Sequence, residues 1–266
     1  EFRRVLFRSL GSEEGAKAIA GGHSLLPLMR LRLARPSTLV DIARIGDLSY
    51  VRKDGKEVAI GALTRHHDIA NDGTLAKECP IVAWTAGQIG DPQVRHVGTI
   101  GGSVAHADPA SDLPTVLLAL GATFVVQGPK KERRVAAKDF FQGLFTADLA
   151  ADELLTEIRV PVTAGQGWSY QKFRRRAQDW AIVGVAALTG NGDGPAVALT
   201  SMGDRPLRAA GVEKALAAGS DATTAAEHAS EGTSPPSDAF ASAEYRREVA
   251  KVIVRRALEE AAGRRR

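Results

Sequence analysis

Ala20-Gly21-Gly22-His23-Ser24 and Thr99-Ile100-Gly101-Gly102-Ser103 are the two stretches on which the reading of this chain turns. Each sets paired glycines after a short apolar or extended segment and before a hydroxyl. Paired glycines let backbone N–H groups approach an anion closely, because no Cβ intervenes and positive φ is open to them. A hydroxyl and a helix N-terminus beside them add donors and a favourable dipole. Two such segments suit the two phosphates of a dinucleotide, although a lone Gly-Gly pair is most often a plain turn. Neither is the G-x-G-x-x-G fingerprint, and no G-x-x-x-x-G-K-[ST] occurs. A dinucleotide bound here is therefore held by a different fold.

Outward from the first motif, Lys17 to Ala20 reads as a strand ending in the glycine turn. Ser24 is placed to cap a helix over Leu25 to Leu33, with Pro27 in its first turn and Pro36 as its stop. Leu39 to Ile42 reads as the next strand. Tyr50 to Arg52 and Glu57 to Ile60 flank Asp54-Gly55, a hairpin signal. Thr64 is expected to cap a helix to about Asn71, and Leu75 to Ile89 is helical in pattern with a break at Pro80. Gly90 to Asp112, around the second motif, reads as a loop rich in Gly, Asp and His. Leu113 to Leu120 is a short apolar helix, and Ala122 to Gln127 and Glu153 to Val160 are strands.

Gly165-Gln166-Gly167 marks a boundary, giving expected domains 1–166 and 167–266. Beyond it lie strands Trp168 to Phe173, Ala181 to Leu188 and Ala196 to Thr200, the last two joined as a hairpin through Gly190 to Gly194. Helices follow at Leu207 to Ala217, Ala222 to Ala229 and Ser242 to Ala262. Strands and helices mix without regular βαβ alternation, so the fold class is α+β. The first nine residues, EFRRVLFRS, show no clear pattern and receive no structural weight.

Composition narrows the function. Net charge is only +4 (35 basic minus 31 acidic residues), and the basic clusters, such as Arg174 to Arg176, lack the interleaved aromatics that stack on bases. No nucleic-acid role follows. The one cysteine, Cys79, excludes a disulfide and cannot hold an iron–sulfur cluster, which needs about four thiolates. Any such cluster sits on another chain. The longest apolar run, Val116 to Val126, is broken and falls below the roughly 18 residues of a membrane span. No signal-peptide pattern is visible, and a cytoplasmic location is expected.

The second motif continues as Val104-Ala105-His106-Ala107-Asp108-Pro109-Ala110-Ser111-Asp112. Ser111 or Asp112 suits a helix cap, Asp112 also suits a ribose-hydroxyl acceptor, and the His and Asp together suit a metal ion. His66-His67-Asp68 resembles a metal cluster, but neighbouring helical residues point about 100° apart, so these histidines read as solvated. Trp84, Trp168 and Trp180 read as core or interface residues. No nucleophile–base signature is present, so no catalytic residue and no metal ligand is assigned.

The motifs, AGGHSLLPLMRLRLARP (Ala20 to Pro36) and TIGGSVAHADPASDLPTVLLALGA (Thr99 to Ala122), resemble the paired signatures of the FAD-binding medium subunits of molybdenum hydroxylases. These are the carbon monoxide dehydrogenase and xanthine dehydrogenase type flavoproteins. DELLTEIRVP, YQKFRRRAQDWAIVGVA and EYRREVAKVIVRRALEEA extend the resemblance over about residues 16–262. It implies an FAD-binding region of two α+β subdomains, split near residue 50 and related to the vanillyl-alcohol-oxidase (PCMH) flavin fold. A C-terminal α+β domain with a three-stranded sheet and a helical bundle is implied to follow.

By that resemblance Ala20, Gly21, Gly22, His23 and Ser24 wrap the FAD pyrophosphate, and Thr99, Ile100, Gly101, Gly102 and Ser103 form the second phosphate loop. Asp112 holds a polar part of the cofactor, while Leu155 and Lys172 lie in segments that approach the flavin in relatives. The implied activity is electron relay. FAD on this chain collects electrons from [2Fe–2S] clusters on a small subunit, fed by a molybdopterin cofactor on a large subunit, and passes them to an external acceptor. A dimer of heterotrimers is implied. The main alternative is a free-standing FAD-dependent oxidoreductase with its own substrate; a structural scaffold is a third. Two departures stand out. Ser103 occupies a position commonly Asn, and EFRRVLFRS replaces the usual N-terminal strand and helix, which would leave apolar surface exposed.

Overall fold

The computed structural model describes residues 7, 9–11, 14–190 and 194–264. β1 (Lys17–Ile19) pairs in parallel with β2 (Leu39–Asp41), and the helix Leu25–Arg30 forms the connection between them. A small cluster of Phe7, Leu10, Ile42, Leu63 and Leu154 lies beneath this pair.

β3 (Val51–Asp54) and β4 (Glu57–Gly61) form the hairpin around Gly55, whose φ is 60°. β5 (Thr123–Gln127) and β6 (Glu132–Ala136) form a second hairpin, β7 (Phe141–Gly143) and β8 (Thr146–Ala147) a small third one, and β9 (Leu154–Pro161) returns between the first two. The result is a five-stranded antiparallel sheet of order β3-β4-β9-β5-β6. Alternation sorts its faces. Val58, Ile60, Phe124 and Ile158 join the main core with Leu75, Ile81, Ile100, Leu113 and Leu117 from the helices. Phe124 meets Phe140 edge to face, with ring centroids 4.7 Å apart. On β9 the charged residues Glu157 and Arg159 alternate with the core residues and join an ion-pair network with Asp54 and Glu57.

The C-terminal sheet has the order β10 (Trp168–Phe173), β11 (Val183–Leu188), β12 (Ala196–Thr200), β13 (Leu207–Arg208), all antiparallel. Its two faces belong to different cores. Val183, Val185, Ala187, Val197 and Leu199 pack with Ile253, Val254 and Ala257 of the long helix Ala243–Gly263. Tyr170, Ala186, Leu188 and Ala198 face the other way and enter the main core. This two-sided burial explains why Val183–Leu188 is a continuous apolar run.

Several expectations change. The C-terminal sheet has four strands, not three: Leu207 pairs with Leu199 and completes the edge of β12, so the helix starts at Ala210 and not at Leu207. The helix after the first motif ends at Arg30, because Arg32 takes a φ of 59°. Ser24 makes no side-chain cap bond. Thr64 does not cap either: its hydroxyl donates to the Tyr50 carbonyl and accepts from the Tyr50 N–H, and Arg65 takes the N-cap position. The expected loop Gly90 to Asp112 holds two helices, Pro92–Val97 and Ile100–His106, started by side-chain caps from Asp91 and Thr99. Phe7, one of the described residues of the opening stretch, is 8% exposed and does contribute to packing. The expected turn between β11 and β12 falls partly outside the described residues.

Candidate functional site

The end of β4 holds the second glycine motif. The Ile100 N–H donates to the Thr64 carbonyl (3.1 Å), the Gly101 N–H to Ala62 (2.8 Å), and the His66 N–H to Gly98 (3.0 Å). A Cβ on Gly101 would lie 2.5 Å from the Ala62 Cβ, so this glycine is required by packing. The first motif comes to the same place. A Cβ on Gly21 would lie 2.2 Å from the Val97 carbonyl oxygen and 2.9 Å from the Gly98 Cα. The two motifs, nearly eighty residues apart in the sequence, therefore meet at Val97–Gly98.

The remaining glycines differ. Gly22 has a φ of 71°, and its carbonyl accepts the Leu26 N–H at 2.9 Å. Gly102 is exposed, and a Cβ there would meet nothing within 4 Å except its own cap oxygen, Thr99 Oγ1, at 2.9 Å. Gly21 packs the first motif against Val97–Gly98, Gly101 packs the second against Ala62, and the Cβ position of Gly22 is taken by the Leu26 side chain at 2.9 Å, whereas Gly102 presents backbone that a ligand can approach. Ala20 and Ser24 are half-buried beside them, His23 is exposed and Ser103 is half-buried. Thr99 is spent on capping Gly102, at 3.1 Å. The Ile100 side chain is buried in the core, so it offers a ligand only its backbone.

Asp112 sits apart from the glycines in a built polar pair. Its Oδ2 accepts from Lys172 Nζ at 2.7 Å and its Oδ1 from the Tyr170 hydroxyl. The side chains of Asp112 and Lys172 are 3% and 4% exposed. Burial pushes the Asp112 carboxyl up, against the pull of Lys172 and the Tyr170 hydroxyl. Burial and the neighbouring carboxylate push the Tyr170 hydroxyl well up. The capping role weighed for Asp112 is excluded by these bonds, and Ser111 makes no cap bond either. Its neighbours are also occupied: Asp108 accepts the Ala110 N–H at 2.8 Å, and His106 packs tilted against Phe145, with ring centroids 5.0 Å apart. Lys172 also reaches the Gln88 carbonyl at 3.3 Å. Leu155 lies on β9 with its side chain in the main core.

Two participants were missed by the sequence reading. Tyr170 could have been found, since it stands two residues before Lys172 on the same face of a strand. His66 was read as solvated, but it is 5% exposed, and burial followed by His23 and Arg95 lowers its pKa to about 4. Its neighbour His67 stacks on His96 at 4.0 Å instead. Trp84 and Trp180 are largely exposed, so neither is a core residue. A cavity of about 550 Å³ lies elsewhere, at the outer face of the five-stranded sheet, lined by Tyr50, Arg52, Glu157 and Arg159 among others. Those four already bond within their own network, and no residue of either glycine motif lines the cavity.

Comparison with known families decides the matter. Residues 4–163 match the FAD binding domain in molybdopterin dehydrogenase, and residues 168–261 match the CO dehydrogenase flavoprotein C-terminal domain. The chain belongs to the FAD-binding medium-subunit family of the molybdenum hydroxylases. It is 40% identical to the carbon monoxide dehydrogenase medium chain of Afipia carboxidovorans, over 98% of this chain and 93% of that one. It is 41% identical to the glyceraldehyde dehydrogenase medium chain of Sulfolobus acidocaldarius, over 95% and 93%. Among solved structures, a carbon monoxide dehydrogenase from Hydrogenophaga pseudoflava superposes with a TM-score of 0.92 at 39% identity, covering 100% of this chain and 95% of that one. As a medium subunit, this chain is an oxidoreductase component whose own cofactor is FAD. Molybdopterin and iron–sulfur centres belong to other subunits, in keeping with its single cysteine. The residues present fit FAD: Gly102 is exposed in the first turn of its helix, with only Thr99 Oγ1 near its Cβ position, and the first motif packs against Gly98 beside that turn.

Proposed function

We propose that the two glycine segments hold the FAD diphosphate, and that the chain passes electrons from iron–sulfur clusters on a small partner to an external acceptor. The single observation that carries this reading is the meeting of the two motifs at Val97–Gly98. Ala20 to Ser24 form one wall and Thr99 to Ser103 the other, with Gly102 closest to the phosphates. Asp112 and the segments that carry Lys172 and Leu155 lie toward the flavin, Leu155 through its backbone because its side chain is in the main core. Bound FAD supplies the two-electron to one-electron exchange. The protein's part is to bind, orient and exclude water, and Tyr170 and Lys172 keep the Asp112 carboxylate fixed while it does so.

The same reading takes residues 1–166 as the FAD-binding domain of vanillyl-alcohol-oxidase type, split near residue 50, and 167–266 as the C-terminal domain. It places the chain in a dimer of heterotrimers with a molybdopterin-binding large subunit. No helix among the described residues is long and apolar enough to cross a membrane, which is compatible with the cytoplasmic location proposed here. Titration of the full chain with FAD, followed by flavin fluorescence, tests the reading. Saturable binding at one site per chain is expected, and no quenching at any concentration would sink it.

A further inference from the structure

His66 begins the helix His66–Ala70 and lies directly behind the place where the glycine motifs meet. A Cβ on Gly98 would lie 3.0 Å from His66 Cδ2 and 3.3 Å from Nε2, while on Gly21 it would lie 2.9 Å from the Gly98 Cα. The imidazole, Gly98 and Gly21 therefore form three layers in contact. The His66 Nδ1 is buried and has no partner among the described residues.

The charged groups around the ring leave it no counterion. His23 faces it from the first motif and Arg95 from the helix Pro92–Val97. The helix Pro80–Ala86 brings no titratable side chain. On its own helix, His67 stacks on His96 and Asp68 is exposed. Asp91, before Pro92, is engaged by the Val94 N–H at 2.9 Å. A proton on this ring would be an unpaired buried charge.

We propose that His66 is a positioning residue of the cofactor site, whose neutral ring is the back wall that sets the spacing of the two glycine segments. The proposal rests on the FAD reading above. The folded pKa of His66 lies below its ordinary value of 6.5, at about 4. A depressed histidine favours the folded arrangement above 6.5, and that advantage is lost as pH falls from 6.5 to 4. The folded ring takes up its proton only as pH nears 4, so acid disturbs this junction there and not at 6.5.

The test measures the FAD dissociation constant of the full chain from about pH 7.5 to about pH 3.5, with far-UV circular dichroism in parallel. The wild-type chain and the His66→Gln and His66→Ala variants are compared. The wild-type chain is expected to hold its affinity above the ring's own value of about 4, and to lose it by up to roughly tenfold per pH unit below that value while its dichroism persists. His66→Gln, uncharged throughout, should bind with a flatter profile, and His66→Ala should bind weakly at every pH. Identical profiles for wild type and His66→Gln, or undiminished binding by His66→Ala at pH 7.5, would overturn the proposal. Failure of all three proteins to bind FAD at any pH would instead overturn the FAD reading beneath it.

Discussion

At the level of single residues, the four motif glycines divide into two kinds with opposite consequences. Gly21→Ala puts a methyl group 2.2 Å from the Val97 carbonyl oxygen. Backbone cannot yield cheaply, so a loss of about 2–3 kcal/mol is expected together with loss of FAD binding. Gly102→Ala meets only the cap oxygen of Thr99 and sits in a helix, where alanine is favoured by about 0.5–1 kcal/mol. Its melting temperature should change little, the helix gain being offset as the Thr99 cap oxygen shifts, while FAD affinity falls by about tenfold or more, or about 1.4 kcal/mol. Thermal melts beside FAD titrations separate the two. A matching loss of stability in both variants would show that the division is wrong. The sequence announced the glycines but not the division, because Gly-Gly reads the same whether backbone or ligand fills the missing Cβ. His66 was illegible for a related reason: only tertiary packing decides which of two adjacent histidines turns inward.

At the level of elements, β10 is tied to the helix Asp112–Ala119 by a charge pair that neither element needs for its own formation. Removing one member leaves the other charge buried alone. Lys172→Met is expected to cost about 3–5 kcal/mol, and pairing it with Asp112→Leu to recover much of that loss. Urea melts of the two single variants and the double variant form the cycle that checks it; additive losses would refute the coupling. Elements with strong period were readable from the sequence. Val183–Leu188 and Ala243–Gly263 lie within a residue or two of expectation at the ends compared. Short ones were not. Pro92–Val97 and Ile100–His106 are helices of six and seven residues, started by Asp91 and Thr99 and packed by their neighbours, with little periodic signal of their own. Leu207–Arg208 is two residues long and becomes a strand only because β12 has an open edge.

For the whole molecule, the C-terminal sheet serves two cores at once. Tyr170, Ala186, Leu188 and Ala198 complete the core of the FAD-binding half. Cutting the chain at Gly165 to Gly167 would expose those side chains and strand Lys172 away from Asp112. A single calorimetric transition is therefore expected for the intact chain, with calorimetric and van't Hoff enthalpies equal. Two separable transitions would count against a shared core. The glycine-flanked stretch suggested a boundary, but the dependence across it was not legible: alternation says that both faces of β11 are covered, never by what.

That shared wall also limits how the chain can exchange electrons. Carriers that swing between donor and acceptor do so on a hinge that few contacts cross. Here a buried salt bridge and a common core cross the junction, so there is nothing to swing. A redox group held by this chain stays where the fold puts it, and the gap to its donor is set when the subunits dock. Transfer rates should then respond to changes at the docking surface and stay indifferent to solvent viscosity.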